Sequence, residues 1–230
     1  MKQYKFIQPP STEQELLARI ETLAGKTLSQ VALTVNIDVP ENQTTHKGWT
    51  GQLAEQVLGA TASNRSEPDF QHLGIELKTI PMSKPGVPKE STYISTVNLT
   101  KTSGINWETS AVRKKLARVL WLPVESDNSI SLKHRRFGNA FLWSPSANQE
   151  KVIRTDWEEI MELICTGDLD KISSSLGTYL QIRPKAANSK SLGNSYSNEG
   201  IRSSTLPRGF YLRSSFTRTL FEDGGEERQD

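Results

Sequence analysis

Residues 69–78 read Asp69-Phe70-Gln71-His72-Leu73-Gly74-Ile75-Glu76-Leu77-Lys78. Leu73, Ile75 and Leu77 alternate with Glu76 and Lys78, which is the pattern of a strand with one buried face. Side chains two apart on a strand share a face, so Ile75 and Leu77 go to one side and Glu76 and Lys78 to the other. An acid beside an ammonium on one strand face is by itself a common solvated ion pair. Asp69, just upstream, brings a second carboxylate. Two converging carboxylates make a hard-oxygen site suited to Mg²⁺, which takes few protein ligands and keeps its waters. A lysine beside such a site can orient an attacking water and stabilise charge building on a phosphate.

The rest of the chain is compatible with such a site. Its 230 residues suffice for one large domain or two small lobes with a real core. A net charge of +2 is nearly neutral, so overall charge does not announce a nucleic-acid partner, although acids and bases cluster in different places. Cys165 is the only cysteine, which excludes an intramolecular disulfide and a thiolate zinc site and fits a reducing cytosol. The first ten residues carry no long apolar run and no cleavage signature, and no segment approaches the length of a membrane span. The expectation is a soluble cytoplasmic protein. His46, His72 and His134 are scattered and need no role.

Upstream of the central stretch, Ser11 followed by Gln14 predicts a helix start of the capping-box type, with Leu16, Ile20 and Leu23 at helical spacing and Gly25 closing it. A second short helix is expected over Leu28–Ala32. His46 and Lys47 lie in a polar loop. A third helix is expected from Trp49 to Leu58, ending at Gly59. Leu53 and Val57 form its apolar stripe, and Glu55 lies about 200° around the helix from both. Glu55 therefore faces either solvent or a cleft.

Downstream, Pro81–Pro88 reads as a loop and Thr92–Val97 as a β-rich run. Ser110 is a helix cap ahead of Val112, Leu116 and Val119, with Arg113, Lys114, Lys115 and Arg118 between them. No acid interrupts those bases, which favours a phosphate-contacting surface. Val119–Val124 and Ala140–Trp143 read as strands. Ile153, Trp157, Ile160, Met161 and Ile164 form the stripe of an amphipathic helix that ends before Gly167. The last third differs. Tyr179–Lys185 and Thr205–Arg213 read as strands with basic and aromatic residues around a polar, mobile loop over 186–202, a combination suited to nucleic acid. Residues 222–230 read as a disordered acidic tail.

Several stretches, in order along the chain, resemble the MutH family, the strand-discriminating endonucleases of methyl-directed DNA mismatch repair. They are Lys47-Gly-Trp-Thr-Gly51, Glu55 with Leu58-Gly-Ala60, Asp69 with Leu73-Gly-Ile-Glu-Leu-Lys-Thr-Ile-Pro81, Trp107-Glu-Thr-Ser110, Arg118-Val-Leu-Trp-Leu-Pro123, Leu180-Gln-Ile-Arg-Pro-Lys-Ala-Ala187 and Leu206-Pro-Arg-Gly-Phe-Tyr-Leu212. The spacing Asp-x(6)-Glu-x-Lys is that of restriction-endonuclease-type phosphodiester hydrolases. The resemblance implies a restriction-endonuclease-like α/β fold, a mixed β-sheet with flanking helices, in a single domain over 1–221 whose two lobes flank a DNA cleft. It implies a monomer performing Mg²⁺-dependent nicking of the unmethylated strand at hemimethylated GATC, 5′ to the G, with activation by MutL, itself loaded by MutS. The family's metal-binding and catalytic acids fall on Glu55, Asp69 and Glu76, its catalytic lysine on Lys78 and a further active-site lysine on Lys115. Its DNA-reading positions fall on Lys47, Tyr93, Arg183, Pro184, Lys185 and Tyr211.

Two rivals remain at this point. One is a stand-alone restriction endonuclease cutting both strands of GATC. The other is a catalytically dead DNA-binding module, disfavoured because every acid and lysine of the motif is present.

Overall fold

The structure, a computed structural model, describes residues 5–41, 48–61, 66–83, 87–100, 102, 104–185, 193–196, 199 and 201–224. In chain order the elements are α1 (Glu13–Glu21), α2 (Leu28–Thr34), α3 (Trp49–Leu58), β1 (Glu76–Ser83), β2 (Val87–Pro88), β3 (Thr92–Thr96), α4 (Ala111–Leu116), β4 (Val119–Glu125), β5 (Phe141–Trp143), α5 (Ala147–Cys165), β6 (Leu180–Pro184), β7 (Gly193–Tyr196), β8 (Arg202–Thr205), β9 (Arg208–Leu212) and α6 (Ser214–Glu222). They fall into two compact units, Met1–Lys89 with Ala117–Ser144, and Glu90–Leu116 with Pro145–Asp223.

The first unit is a mixed sheet in the order β2-β1-β4-β5, with β1 and β4 parallel and both outer pairs antiparallel. Val119, Leu120, Trp121 and Leu122 are all buried, the continuous apolar run of a strand covered on both faces. Leu16 and Ile20 of α1, Leu28 and Val31 of α2, and Leu53 and Leu58 of α3 share one core with Phe70, Ile75, Leu77, Leu120 and Leu122. Each fully buried side chain of this size is worth roughly 1.5–3 kcal/mol, which is what holds α3 on β1. A bidentate pair ties Arg118, just ahead of β4, to Glu13 of α1, with Nε and Nη2 each 2.7 Å from a carboxylate oxygen. The guanidinium holds the Glu13 carboxyl below its ordinary range.

Several expectations need correction here. The strand begins at Glu76, because residues 69–75 form a turn closed by Phe70 N donating to Ile75 O at 2.9 Å, with Gly74 at φ +67°. Phe70 is drawn wholly into the core, which leaves no room for an extended run. Pro81 does not open a loop but continues β1 to Ser83. Glu76 N donates to Arg118 O, so odd-numbered N–H groups point away from β4, and the one that Pro81 lacks falls where β2 pairs only Met82 and Ser83. Helix α1 is capped by Thr12, whose hydroxyl accepts from Glu15 N at 3.1 Å, while the Ser11 N–H and hydroxyl donate to Glu15. The basic run 113–118 is not one helical face. Helix α4 ends at Leu116, Val119 starts β4, Arg113 pairs with Glu150 at 2.9 Å and Arg118 with Glu13. The acids absent from the local sequence come from elsewhere in the fold.

The second unit is built on an antiparallel sheet, β3-β9-β6. Ile94, Leu180, Ile182, Phe210 and Leu212 are its buried apolar residues, and α5 packs on β6 with the predicted stripe from Ile153 to Ile164 buried. That helix starts at Ala147, earlier than its stripe required, capped by a Ser146–Gln149 capping box. Part of the stretch expected to be mobile pairs instead, β7 with β8, and the remainder lies outside the described residues. The expected tail begins inside α6, which runs through Glu222, and residues 225–230 lie outside the described residues.

Asp156, 3% exposed on α5, accepts the backbone N–H groups of Thr178, Tyr179 and Leu180 at 2.7, 2.7 and 2.8 Å. Gly177 makes the turn possible at φ +82°, since a Cβ there would stand 1.9 Å from Leu180 O. This carboxylate anchors the start of β6. Replacing Asp156 by alanine strands three N–H donors, that of Leu180 buried and those of Thr178 and Tyr179 part-buried, and a stability loss of about 2–3 kcal/mol is expected in urea denaturation. A loss below about 1 kcal/mol would show that water serves those N–H groups as well as the carboxylate does.

Candidate active site

The site begins where β1 enters the sheet. Leu77 N points away from β4, beyond the reach of β2, and Asp69 Oδ2 accepts it at 2.9 Å. The 69–75 turn thus returns the Asp69 carboxylate to the peptide that joins Glu76 to Leu77. Glu76 is 1% exposed, and its Oε1 accepts from Lys78 Nζ at 2.6 Å. Asp69, Glu76 and Lys78 are therefore gathered around the first three residues of β1, as the alternation 76/78 requires. The ammonium offsets the desolvation and mutual repulsion of two acids so placed.

Glu55 is half-buried on α3, which packs on β1. The buried side of α3 is Leu53, Ala54 and Leu58, with Val57 only half-buried, so Glu55 lies on the flank of the packed face rather than opposite it. Among the described residues no three His, Cys, Asp or Glu side chains group closely enough to hold a metal ion. The donor set at β1 is two carboxylates. That fits Mg²⁺, which binds through one or two carboxylates and otherwise through water and phosphate oxygens, and does not fit an all-protein cage.

Lys115 belongs to the second unit, buried on α4, whose Ser110 cap accepts from Arg113 N at 3.0 Å. Lys47 lies outside the described residues. Four of the other expected DNA-reading residues, Tyr93, Arg183, Lys185 and Tyr211, come together on one face of the second unit's sheet, while Pro184, paired with Arg208, alternates to the other face. Tyr93 of β3 stands opposite Tyr211 of β9, their ring centroids 5.4 Å apart at 66°. Lys185 Nζ donates to Tyr93 Oη at 2.7 Å and lies 3.9 Å from that ring's centroid, while the Arg183 guanidinium lies 6.0 Å from the Tyr211 centroid. Arg183, Pro184 and Lys185 are exposed, and both tyrosines are half-buried. Burial, and then the neighbouring Tyr93, push the Tyr211 phenol above its ordinary range, so it keeps its proton at neutral pH.

Two features of this face are not legible in the sequence. Gly209 is its floor, since a Cβ there would stand 2.9 Å from Tyr93 Cε2 and 3.2 Å from Tyr211 Cε2. The only sequence signal is a glycine within a strand pattern, which marks close approach of a neighbour. Arg213 does not face outward as its place beside Tyr211 suggests. Its Nε donates to Gly177 O and its Nη2 to the carbonyls of Ser174 and Leu176, at 2.8–2.9 Å.

Comparison with known proteins decides the family. A model of the DNA mismatch repair enzyme MutH matches residues 58–156. DNA mismatch repair protein MutH from Escherichia coli K12 is 49% identical over 215 residues, covering 94% of each chain. The proteins of that name from E. coli O9:H4 strain HS and O6:K15:H31 strain 536 match with the same identity and coverage. The chain belongs to the MutH family of DNA mismatch repair enzymes. Its mixed sheet with flanking helices is the restriction-endonuclease-like α/β fold that the resemblance implied. In this MutH-family chain the matched region 58–156 contains Asp69, Glu76, Lys78, Tyr93 and Lys115. No helix among the described residues is long and apolar enough to cross a membrane.

Proposed function

We propose that this protein is a Mg²⁺-dependent DNA endonuclease that nicks the unmethylated strand of hemimethylated GATC, 5′ to the G, under activation by MutL, which MutS loads. The observation that carries the chemistry is the grouping of Asp69, Glu76 and Lys78 at the start of β1. Asp69 and Glu76 would hold the ion, and Glu55 is assigned to the same site as the third acid that the resemblance implies. Bound Mg²⁺ supplies Lewis-acid stabilisation of charge on the scissile phosphate. Lys78 turns its ammonium from Glu76 towards that phosphate and the attacking water, and Lys115 is the further active-site lysine that the resemblance implies. No cysteine or histidine nucleophile is needed. MutL docks outside the DNA-binding face, on the unit carrying the C-terminal segment.

Recognition is assigned to Lys47, to the face of Tyr93, Arg183, Lys185 and Tyr211, and to Pro184. Arginine and lysine bond guanine O6 and N7 in the major groove. An N6-methyl on adenine occupies the same groove edge, and a ring held from below by Gly209 and from the side by Tyr93 is a rigid wall against it.

The test is cleavage of unmethylated, hemimethylated and fully methylated GATC duplexes with Mg²⁺. The unmethylated strands should be cut and the fully methylated duplex should resist. On supercoiled plasmid the product should be open circles, whereas linear molecules would indicate an enzyme cutting both strands. Tyr211→Ser should narrow the rate gap between methylated and unmethylated sites more than it slows cutting of unmethylated DNA. A folded Tyr211→Ser enzyme with the gap intact removes Tyr211 from methyl discrimination.

A further inference from the structure

The second unit carries a cleft of about 720 Å³ at the free edge of β6. Its walls include Arg183 of β6, Arg208 of β9, Arg213, and the hydroxyl-bearing Ser91, Ser214 and Ser215. No acid lines it. Arg208 Nε is buried there and has no hydrogen-bond partner among the described residues. Burial holds the Arg208 guanidinium below its ordinary range, and no carboxylate among the described residues pairs with it. A buried guanidinium nitrogen without a partner is costly, so a cleft that retains one is built for an acceptor that arrives from outside.

The remaining geometry says what kind of acceptor. Arg213 spends its Nε and Nη2 on three carbonyls, which fixes its guanidinium rigidly in the wall. It is also the residue preceding α6, a nine-residue helix with no side chain capping its N-terminus, and the first two residues of that helix line the cleft. Guanidinium forks, hydroxyls and the positive end of a helix match the tetrahedral oxygens of a phosphate.

We infer that the cleft between β6, β9 and the start of α6 is a phosphate-binding site, with Arg208 as its principal donor. A DNA backbone phosphate and a free phosphate group share this chemistry. Arg183 connects the cleft to the recognition face, which favours the DNA backbone. That choice of source rests on the proposed DNA-recognition role of the face, whereas phosphate binding does not.

Two variants test it. Arg208→Gln removes the donor's charge. Ser215→Glu places a carboxylate in the exposed first turn of α6, where it favours the helix and repels phosphate, so its fold is preserved. Melting temperature is measured for wild type and both variants in inorganic phosphate and in chloride at matched ionic strength. The salt dependence of binding to an uncleaved GATC duplex is measured without divalent metal. Wild type should melt higher in phosphate than in chloride, and both variants should lose that difference. The slope of log K against log salt should become shallower by about 1 in Arg208→Gln. Loss of the phosphate effect with an unchanged slope supports the site and assigns it to a free phosphate group. A folded Ser215→Glu protein that keeps the full phosphate effect overturns the proposal, as does a wild type indifferent to phosphate. Neither measurement involves cleavage, so both results hold whether or not the enzyme cuts GATC.

Discussion

Asp69→Asn is expected to lower nicking of GATC duplexes by at least about a thousandfold, about 4 kcal/mol of transition-state stabilisation, with the fold intact. The amide variant separates two roles of this residue. One oxygen of Asp69 accepts Leu77 N at 2.9 Å and so completes the entry of β1 into the sheet. An asparagine oxygen can accept that bond, but it brings no negative charge to Mg²⁺. Asp69→Ala loses both, and should show the same catalytic defect together with a stability loss of roughly 1–3 kcal/mol from the stranded buried N–H. Duplex binding without divalent metal should survive in both. Near-normal nicking by Asp69→Asn would remove Asp69 from the metal site and leave it a structural residue of β1.

Lys78→Ala is expected to slow nicking by about a hundredfold to a thousandfold, with preference for GATC unchanged. The ammonium lies 2.6 Å from Glu76 Oε1 on a face of β1, in the first unit, whereas the recognition face belongs to the second. Its removal also takes a counter-charge away from Glu76, which is 1% exposed. A cation should then matter more to the folded state. The melting temperature of Lys78→Ala should rise with Mg²⁺ more steeply than that of the wild type. A variant that keeps its rate but cuts other sequences would transfer Lys78 from catalysis to recognition.

Local pattern carried much of this protein. The alternation from Ile75 to Lys78 put Glu76 and Lys78 on one face, and Lys78 Nζ does bond Glu76 Oε1. The stripe from Ile153 to Ile164 is buried as its spacing required, and Trp49–Leu58 is a helix closed by Gly59. Period and capping are set by neighbours within a few residues, so a single chain displays them. The run of motifs from Lys47 to Leu212 likewise pointed to the family through residue order alone.

What the sequence could not display is pairing between residues far apart in the chain. Asp69 meets Leu77 only because Phe70 is pulled into the core and the turn folds back. Arg118 is neutralised by Glu13 across 105 positions, which no local charge count reveals. Asp156 reads as one more polar residue of an amphipathic helix, yet it meets three N–H groups more than twenty residues away. Arg213 lies beside Tyr211 in sequence, yet it spends its guanidinium on carbonyls of 174–177. Local pattern, together with the ordered motifs that resemble the MutH family, therefore determined the fold class, the family and the residues worth naming. Tertiary structure decided which charges are spent within the fold and which remain for a ligand, because a charge finds its partner through space and not along the chain.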